Sequence, residues 1–435
     1  MNAELRSRLE SIVGPGLVYG PGEPVDGVRP TLAVRPGTQD EVSAVVRACA
    51  EAGAAMIPLG GGTSLGLGNP PARADVLVHL DRLDRVVEWD PANLCISAEA
   101  GMRLEALQAL VAKDRTVLPL DPPGLRRVTL GGMVAANPSG PCRLQYGTVR
   151  DWVLGMRVVL PDGERIHCGG RVIKNVSGYD MNKLFIRSLG CLGIITEVTF
   201  KLLPMPARRA AVIGRFPDAA TAWAVVGRTL ASFLLPEALE FLNVEAAQLL
   251  GGPPGTCVLA VSLSGSSETV DRQVRDFTGF FQDGGGTADV LQEAAASRAW
   301  EGIRDLLEGA YDPILCRIAV PLSATPALVA AAEGMAREAG LKAVVTAHAA
   351  TGVLRVLLAP GADPHPGEAL MVLEGLRREA EAAEGSLVLE AAPRSLKARF
   401  DAWGTPPGGV DMMKRLKTEF DPLGICNPGR FVAGI

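Results

Sequence analysis

Histidine is scarce in this chain. Its 435 residues include only four, His79, His167, His348 and His365. A mechanism that needs an imidazole near neutral pH must draw on that short list. The eight cysteines lie at positions 49, 95, 142, 168, 191, 257, 316 and 426, and the closest two, Cys168 and Cys191, are 23 positions apart. No C-x-x-C occurs, so the usual zinc and iron–sulfur spacings are excluded and no metal site is expected. No run of about 18 strongly apolar residues appears, so no membrane span is expected. Positive charge is not in excess: 43 lysines and arginines face 48 acidic residues, for a net charge of −5. A nucleic-acid backbone is therefore not the expected partner. The opening MNAELRSRLESIVG mixes acids and bases and does not read as a secretory signal. A cytoplasmic setting with reduced thiols is the expectation. Two nucleotide motifs are also missing. No G-x-x-x-x-G-K-[ST] marks a P-loop, and no G-x-G-x-x-G opens a βαβ unit.

What is present suits a folded, soluble protein of two or three domains: 48% hydrophobic and 21% charged residues. Thr38-Gln-Asp-Glu41 is a capping box, with Val42, Val45, Val46 and Cys49 following at helical spacing and Gly53 ending the helix. Strands are expected over 55–58, 76–80, 85–89, 95–98 and 116–118, and a helix over 104–111. Pro161-Asp162-Gly163 turns a hairpin between 152–160 and 164–168. A buried strand is expected from Ile194 to Leu203. The order mixes α and β without regular alternation, so a doubly wound sheet is not expected. After Pro204 the texture changes. Helical stretches near 218–232, 267–283, 324–339 and 366–384 alternate with β-rich pieces at 257–263, 315–320, 342–348 and 353–358. That predicts a second α+β domain, an antiparallel sheet with helices on one side.

Three glycine-bearing stretches fall within the first 200 residues: PLGGGTSL (58–65), TLGGMVAANPSG (129–140) and SLGCLGIITE (188–197). Glycine allows close backbone approach, and successive N–H groups in such a bend can cradle an anion. Each stretch alone also reads as an ordinary turn. Together, in one mixed domain, they point to a single large phosphate-bearing ligand.

Their order resembles the FAD-binding domain of the vanillyl-alcohol-oxidase/p-cresol-methylhydroxylase (PCMH) class. The tail FDPLGICNPGRF (420–431) is similar to the C-terminal signature of that class. VIKNVSGYDMNKL (172–184) resembles the FAD-binding, E-type subunit of bacterial glycolate oxidase. The resemblance implies an α+β fold: an N-terminal segment 1–25, a two-subdomain FAD-binding domain 26–204, an α+β cap 205–405 and a tail 406–435 that returns to the FAD domain. It implies non-covalent FAD, since the first loop lacks the histidine a covalent link would use. Pro58, Leu59, Gly60, Gly61, Gly62, Thr63, Ser64 and Leu65 would form the pyrophosphate loop. Pro119, Asp121 and Pro122 would run close to the flavin. Thr129, Gly131, Gly132, Ala135, Asn137, Ser139, Gly140, Tyr146 and Gly147 would make the second station, although Asn137 also suits a local cap. Gly190, Gly193, Ile194 and Ile195 would make the third. Lys174 and Tyr179 would sit near the flavin edge, where a cation favours the reduced anion.

The resemblance further implies a heteromeric complex with a second FAD-containing subunit and an iron–sulfur subunit. Its substrate would be a small 2-hydroxy acid, and peripheral association with the inner face of the membrane would run through the partners. Catalytic relatives carry H-x-G-D-G-N-x-H in the cap. Here the corresponding stretch is His348-Ala-Ala-Thr-Gly-Val-Leu-Arg355, which keeps the first histidine and Gly352 and lacks the rest. His348 is the candidate base and Arg355 the candidate carboxylate binder. Three readings stay open: a flavoprotein subunit that relays electrons, a dehydrogenase in its own right, and a structural subunit with an emptied site.

Overall fold

The computed structural model describes residues 2–171, 178–308, 314–359 and 367–435. The chain divides into two compact units. Unit 1 comprises Met1–Pro138, Thr148–Met205 and Thr405–Ile435, and unit 2 comprises Ser139–Gly147 and Pro206–Gly404. Among the described residues, no helix is long and apolar enough to cross a membrane.

Unit 1 holds two principal sheets. The first has strands β1 (Val18–Tyr19), β2 (Leu32–Val34), β3 (Met56–Leu59) and β4 (Val76–His79), ordered β1-β2-β4-β3. β2 and β3 both run parallel to β4. The helix Gln39–Glu51 makes the crossover between them. Thr38 caps it by accepting the Glu41 N–H at 3.1 Å. Glu41 reaches back one residue further than a capping box requires, to the Gly37 N–H at 2.6 Å. The helix Asn2–Val13 buries Leu5, Leu9 and Val13 in one cluster with Val42, Val45, Val46 and Cys49. The acid–base mixture of the first residues is thus the polar face of a packed helix.

The second sheet is antiparallel. Its strands are β5 (Val86–Asp90), β6 (Cys95–Glu99), β8 (Val153–Val159), β9 (Arg165–Gly169) and β10 (Ile194–Lys201), ordered β5-β6-β10-β8-β9. The short β7 (Thr116–Val117) pairs with β11 (Leu203–Pro204). The tail returns to this unit. Met56 N–H donates to Ile425 O at 2.7 Å and Asn427 N–H to Met56 O at 2.8 Å, which extends the open edge of β3. Lys417 fixes the tail from within: its Nζ reaches Asp421 at 2.6 Å and the carbonyls of Cys191 and Cys426 at 2.8 Å each.

Unit 2 is built on one antiparallel sheet of eight strands. These are β12 (Arg208–Phe216), β13 (Ala238–Leu242), β14 (Cys257–Gly265), β15 (Asp289–Gln292), β16 (Ile314–Ala319), β17 (Lys342–His348), β18 (Val353–Ala359) and β19 (Ser386–Ala391). Their order is β15-β12-β14-β13-β17-β18-β16-β19. One face is aromatic. Phe241 meets Trp223 of the helix Ala219–Leu230, and Phe216 meets Phe281 of the helix Ser267–Asp283. The other face is not bare, as helices on one side would leave it. Leu242, Val258, Val344 and Leu357 there cluster with Ala246 and Ala247 of the helix Val244–Leu249 and Ile303 of the helix Glu293–Asp305. The segment 139–147, continuous in sequence with the second glycine stretch, belongs to this unit, where its helix Arg143–Tyr146 packs on β13.

Candidate functional site

In unit 1 the three glycine stretches converge on one groove. β3 delivers Pro58 to Leu65 along its wall. The helix Leu130–Ala136 contributes Gly131, Gly132, Ala135 and Ala136, and the third stretch contributes Leu189, Gly190, Gly193 and Ile195. Asn427 and Arg430 enter from the tail, and Leu80 from the end of β4.

Most of the glycines serve the walls before they serve a ligand. A Cβ on Gly61 would run into the Arg127 carbonyl, and one on Gly60 into Thr129 Oγ1. Thr129 Oγ1 is 3.3 Å from the Gly61 N–H, which donates to it. The first loop is therefore pressed onto the segment that starts the second. Gly190, at φ +74, sits where a Cβ would lie 2.5 Å from Pro58 Cγ, so the third stretch is pressed onto the first. Gly131 abuts Ala100, whose Cβ would lie 2.6 Å away. Gly132 differs: a Cβ there would meet only Thr129 Oγ1, at 3.0 Å.

The groove keeps polar groups in reserve. The N–H groups of Gly62, Thr63 and Ser64, and the hydroxyls of Thr63 and Ser64, have no hydrogen-bond partner among the described residues. Asn427 donates through Nδ2 to Leu189 O at 2.5 Å, while its buried Oδ1 has no partner. Buried polar atoms are normally satisfied, so an orphan acceptor beside a row of open donors marks a place for a polar ligand. Arg430 ties the far side of the loop. Its guanidinium donates to Leu65 O at 2.5 Å and Leu67 O at 2.7 Å, and burial holds its pKa below the usual arginine range. Asn427 and Arg430 are the polar groove residues that the sequence reading did not single out; the apolar Leu80, Ala136 and Leu189 were not singled out either. The signal of Asn427 and Arg430 was present in the NPGR of the tail, which was read as a family mark without a role.

Other expected residues lie elsewhere. Pro119, Asp121 and Pro122 form a loop after β7 and do not line the groove. Thr129 and Asn137 flank the helix as its two caps, Asn137 at φ +50 with its Oδ1 buried and unpartnered. Ile194 points into the apolar core while Ile195 faces the groove, as strand alternation requires. Ser139, Gly140, Tyr146 and Gly147 belong to unit 2. There the Tyr146 hydroxyl lies 3.4 Å from Ser264 Oγ, and burial pushes its phenol up, with Glu237 adding to the effect. Tyr179 is exposed. Lys174 and His365 lie outside the described residues.

Unit 2 carries a second set of polar groups, on the sheet face that bears Leu242. Its rows change from apolar to polar across three register steps. Val344 pairs with Leu357, then Thr346 with Arg355, then His348 with Val353 on one side and Glu240 on the other. Glu240 and His348 are both buried, and His348 Nδ1 lies 2.6 Å from Glu240 Oε1. Burial pushes the Glu240 carboxyl up, and His348 pulls against that. Arg355 is already engaged. Its Nε donates to Glu390 at 3.0 Å and its Nη2 to Glu308 at 3.4 Å, and Arg317 shares Glu390 at 3.3 Å. Arg355 is thus the centre of an internal ion-pair network, and a substrate carboxylate would have to displace one of its partners. Two further histidines have structural surroundings: His79 bonds Tyr19 at 2.9 Å and Glu23 at 3.2 Å, and His167 lies in the β8–β9 hairpin.

Comparison with known proteins gives the following. Residues 30–169 match a family described as an FAD binding domain, and residues 205–431 match the C-terminal domain of the FAD linked oxidases. The glycolate oxidase subunit GlcD of Bacillus subtilis is 29% identical over 93% of this chain and 89% of its own length. An uncharacterised FAD-linked oxidoreductase of Mycobacterium tuberculosis is 31% identical over 98% of both chains. A D-lactate dehydrogenase of Anaerostipes hadrus is 28% identical over 92% of this chain and 89% of its own. Among solved structures, p-cresol methylhydroxylase superposes with a TM-score of 0.75 at 17% identity, covering 99% of this chain and 96% of that one.

Proposed function

The chain belongs to the FAD-linked oxidases, oxidoreductases whose cofactor is FAD, and on that premise we propose that it works in the oxidation of a small 2-hydroxy acid of the glycolate or D-lactate type. The observation that carries this reading is the groove of unit 1. Its open N–H groups at Gly62, Thr63 and Ser64, its two free hydroxyls and the orphan Asn427 Oδ1 fit a dinucleotide, with the pyrophosphate on the first loop. The named relatives, a glycolate oxidase subunit and a D-lactate dehydrogenase, supply the substrate class. FAD supplies a two-electron acceptor for the hydride of the CH–OH carbon. The chain's own residues hold that cofactor.

In this reading the chain is the FAD-binding, E-type subunit of a complex. A second FAD-containing subunit and an iron–sulfur subunit are its partners, at the inner face of the cytoplasmic membrane. An exposed apolar loop supports a protein partner: Phe233 is 99% and Leu235 78% exposed. A second reading, that the chain is itself the dehydrogenase with His348 as base, is favoured by the buried contact of His348 with Glu240. One experiment separates the two. The purified chain should be yellow and should release FAD on acid precipitation. Anaerobic glycolate or D-lactate is then added. Prompt bleaching of the flavin band supports direct catalysis; bleaching that needs co-purified partner subunits supports the relay. A colourless, FAD-free chain that takes up no added FAD overturns both.

A further inference from the structure

Resting on the reading of His348 as the base, we propose that Glu240 is the positioning residue of that base: it fixes the Nδ1–H tautomer of His348 and leaves Nε2 as the proton acceptor for a substrate hydroxyl. The geometry carries the assignment. Glu240 stands on β13 directly opposite the last residue of β17, His348, so the sheet register places the two side chains on one face. The carboxylate is 2% exposed and has one hydrogen-bonded side-chain partner, the imidazole Nδ1. His348 is 7% exposed, and its Nε2 has no hydrogen-bond partner among the described residues. A carboxylate behind an imidazole sets which nitrogen holds the proton, because it accepts from one nitrogen only.

The surroundings support this division. The other charged group that acts on Glu240 is Arg355, and that cation is held by Glu308 and Glu390. On the neighbouring strand β14 the residue paired with Glu240 is Ala260, which brings no charge. When Nε2 takes a hydroxyl proton, the Nδ1–H bond stays in place. The positive charge that appears on the ring faces the carboxylate already there.

The test uses the FAD-loaded full-length chain labelled with 15N at histidine. Four histidines make the spectrum assignable, and His348→Ala identifies the signals of His348. The expected wild-type result at neutral pH is a protonated Nδ1 and an unprotonated Nε2. A proton on Nε2 in the wild type overturns the proposal without need of a variant. In Glu240→Gln the Nδ1–H preference should weaken, with FAD content unchanged. kcat/KM should fall by about 10- to 100-fold, because the base loses the carboxylate that orients it. Glu240→Asp, which keeps the carboxylate, should restore part of the Nδ1–H preference and part of kcat/KM. A wild-type spectrum retained in Glu240→Gln counts against the proposal. Should the wild-type chain show the expected tautomer and yet fail to oxidise glycolate or D-lactate, the functional reading falls and the tautomer assignment stands.

Discussion

The two units use polar groups in opposite ways. In unit 1 the walls of the groove satisfy one another and leave a row of donors open. Gly60 and Gly61 pack on 127–129, Gly190 packs on Pro58, and the N–H groups of Gly62 to Ser64 have no partner among the described residues. In unit 2 nearly the reverse holds. Arg355, Glu390, Glu308 and Arg317 are closed into a network, and the histidine–glutamate pair is joined through Nδ1 and Oε1, with Nε2 open among the described residues. A site made mostly of backbone can bind a large anion through many weak donors. A site made of buried side chains can hold one proton in one place. The difference predicts that damage to unit 1 appears first as lost cofactor, and damage to unit 2 as lost stability or altered pH dependence with the cofactor retained.

The sharpest way to break that contrast is at two glycines of the groove. Gly61→Ala drives a methyl into the Arg127 carbonyl, which is backbone and cannot swing away. The expected outcome is the largest of any single change: little or no FAD in the purified protein and a clear fall in melting temperature. Gly132→Ala meets only a hydroxyl at 3.0 Å and lies inside a helix, where alanine is favoured by about 1 kcal/mol. Its melting temperature should hold or rise, while FAD affinity falls because the methyl enters the groove. Flavin-to-protein absorbance ratios and thermal unfolding of the apo forms check both. Equal losses in the two variants would erase the distinction between wall and ligand glycines.

That distinction also shows what the sequence could reveal. The order of the glycine stretches carried the FAD-binding domain, since each loop needs small residues at fixed places whatever surrounds them. The N-cap at Thr38 and the hairpin at Pro161-Asp162-Gly163 were legible because their chemistry is local, although Glu41 closes on Gly37 where a capping box would have it close on Thr38. Which partner a glycine approaches was not legible. Gly61 meets Arg127, 66 positions away, and only the tertiary structure brings them together. β12 and β13 escaped notice for a related reason. Arg208–Phe216 and Ala238–Leu242 carry arginines and a glutamate that break an apolar pattern, and the groups that meet them are distant in sequence: Arg208 pairs with Asp271, Arg215 with Asp289, and Glu240 lies against Nδ1 of His348. Arg355 read as a free carboxylate binder because its partners, Glu308 and Glu390, are 47 and 35 positions distant.

Removing that arginine is the next largest change. Arg355→Ala removes the cation that Glu390 and Glu308 share, in a half-buried place. A fully buried pair broken in this way costs about 3–5 kcal/mol, and the cost here is smaller because Glu390 keeps Arg317. The expected result is a lower melting temperature with FAD content close to wild type in the folded fraction. Arg355→Met, which keeps much of the side-chain length without the charge, should be no better, since the two carboxylates remain. Loss of FAD in a variant that stays folded would remove the separation between the units. Arg430→Ala makes the opposite test in unit 1. It frees the part-buried carbonyls of Leu65 and Leu67, each bond having a net value of about 0.5–1.5 kcal/mol, and should lower both stability and FAD affinity.

The smallest expected effect is the most informative about how the first loop works. Thr63 and Ser64 place two hydroxyls in the groove with no partner in the described chain, beside backbone N–H groups that are equally open. If the backbone does most of the anion binding, deleting one hydroxyl removes one hydrogen bond among several. Ser64→Ala should then weaken FAD binding by the net value of such a bond, about 0.5–1.5 kcal/mol, or roughly twofold to thirteenfold in Kd. The apo protein should lose no stability, because no intramolecular bond is broken. Titration of apo protein with FAD, followed by flavin fluorescence, measures the change. A loss of a hundredfold or more would mean that the side chain, not the bend of the backbone, is the principal donor. The groove of unit 1 would then work like the face of unit 2, through single side chains, and the contrast between the two would no longer hold.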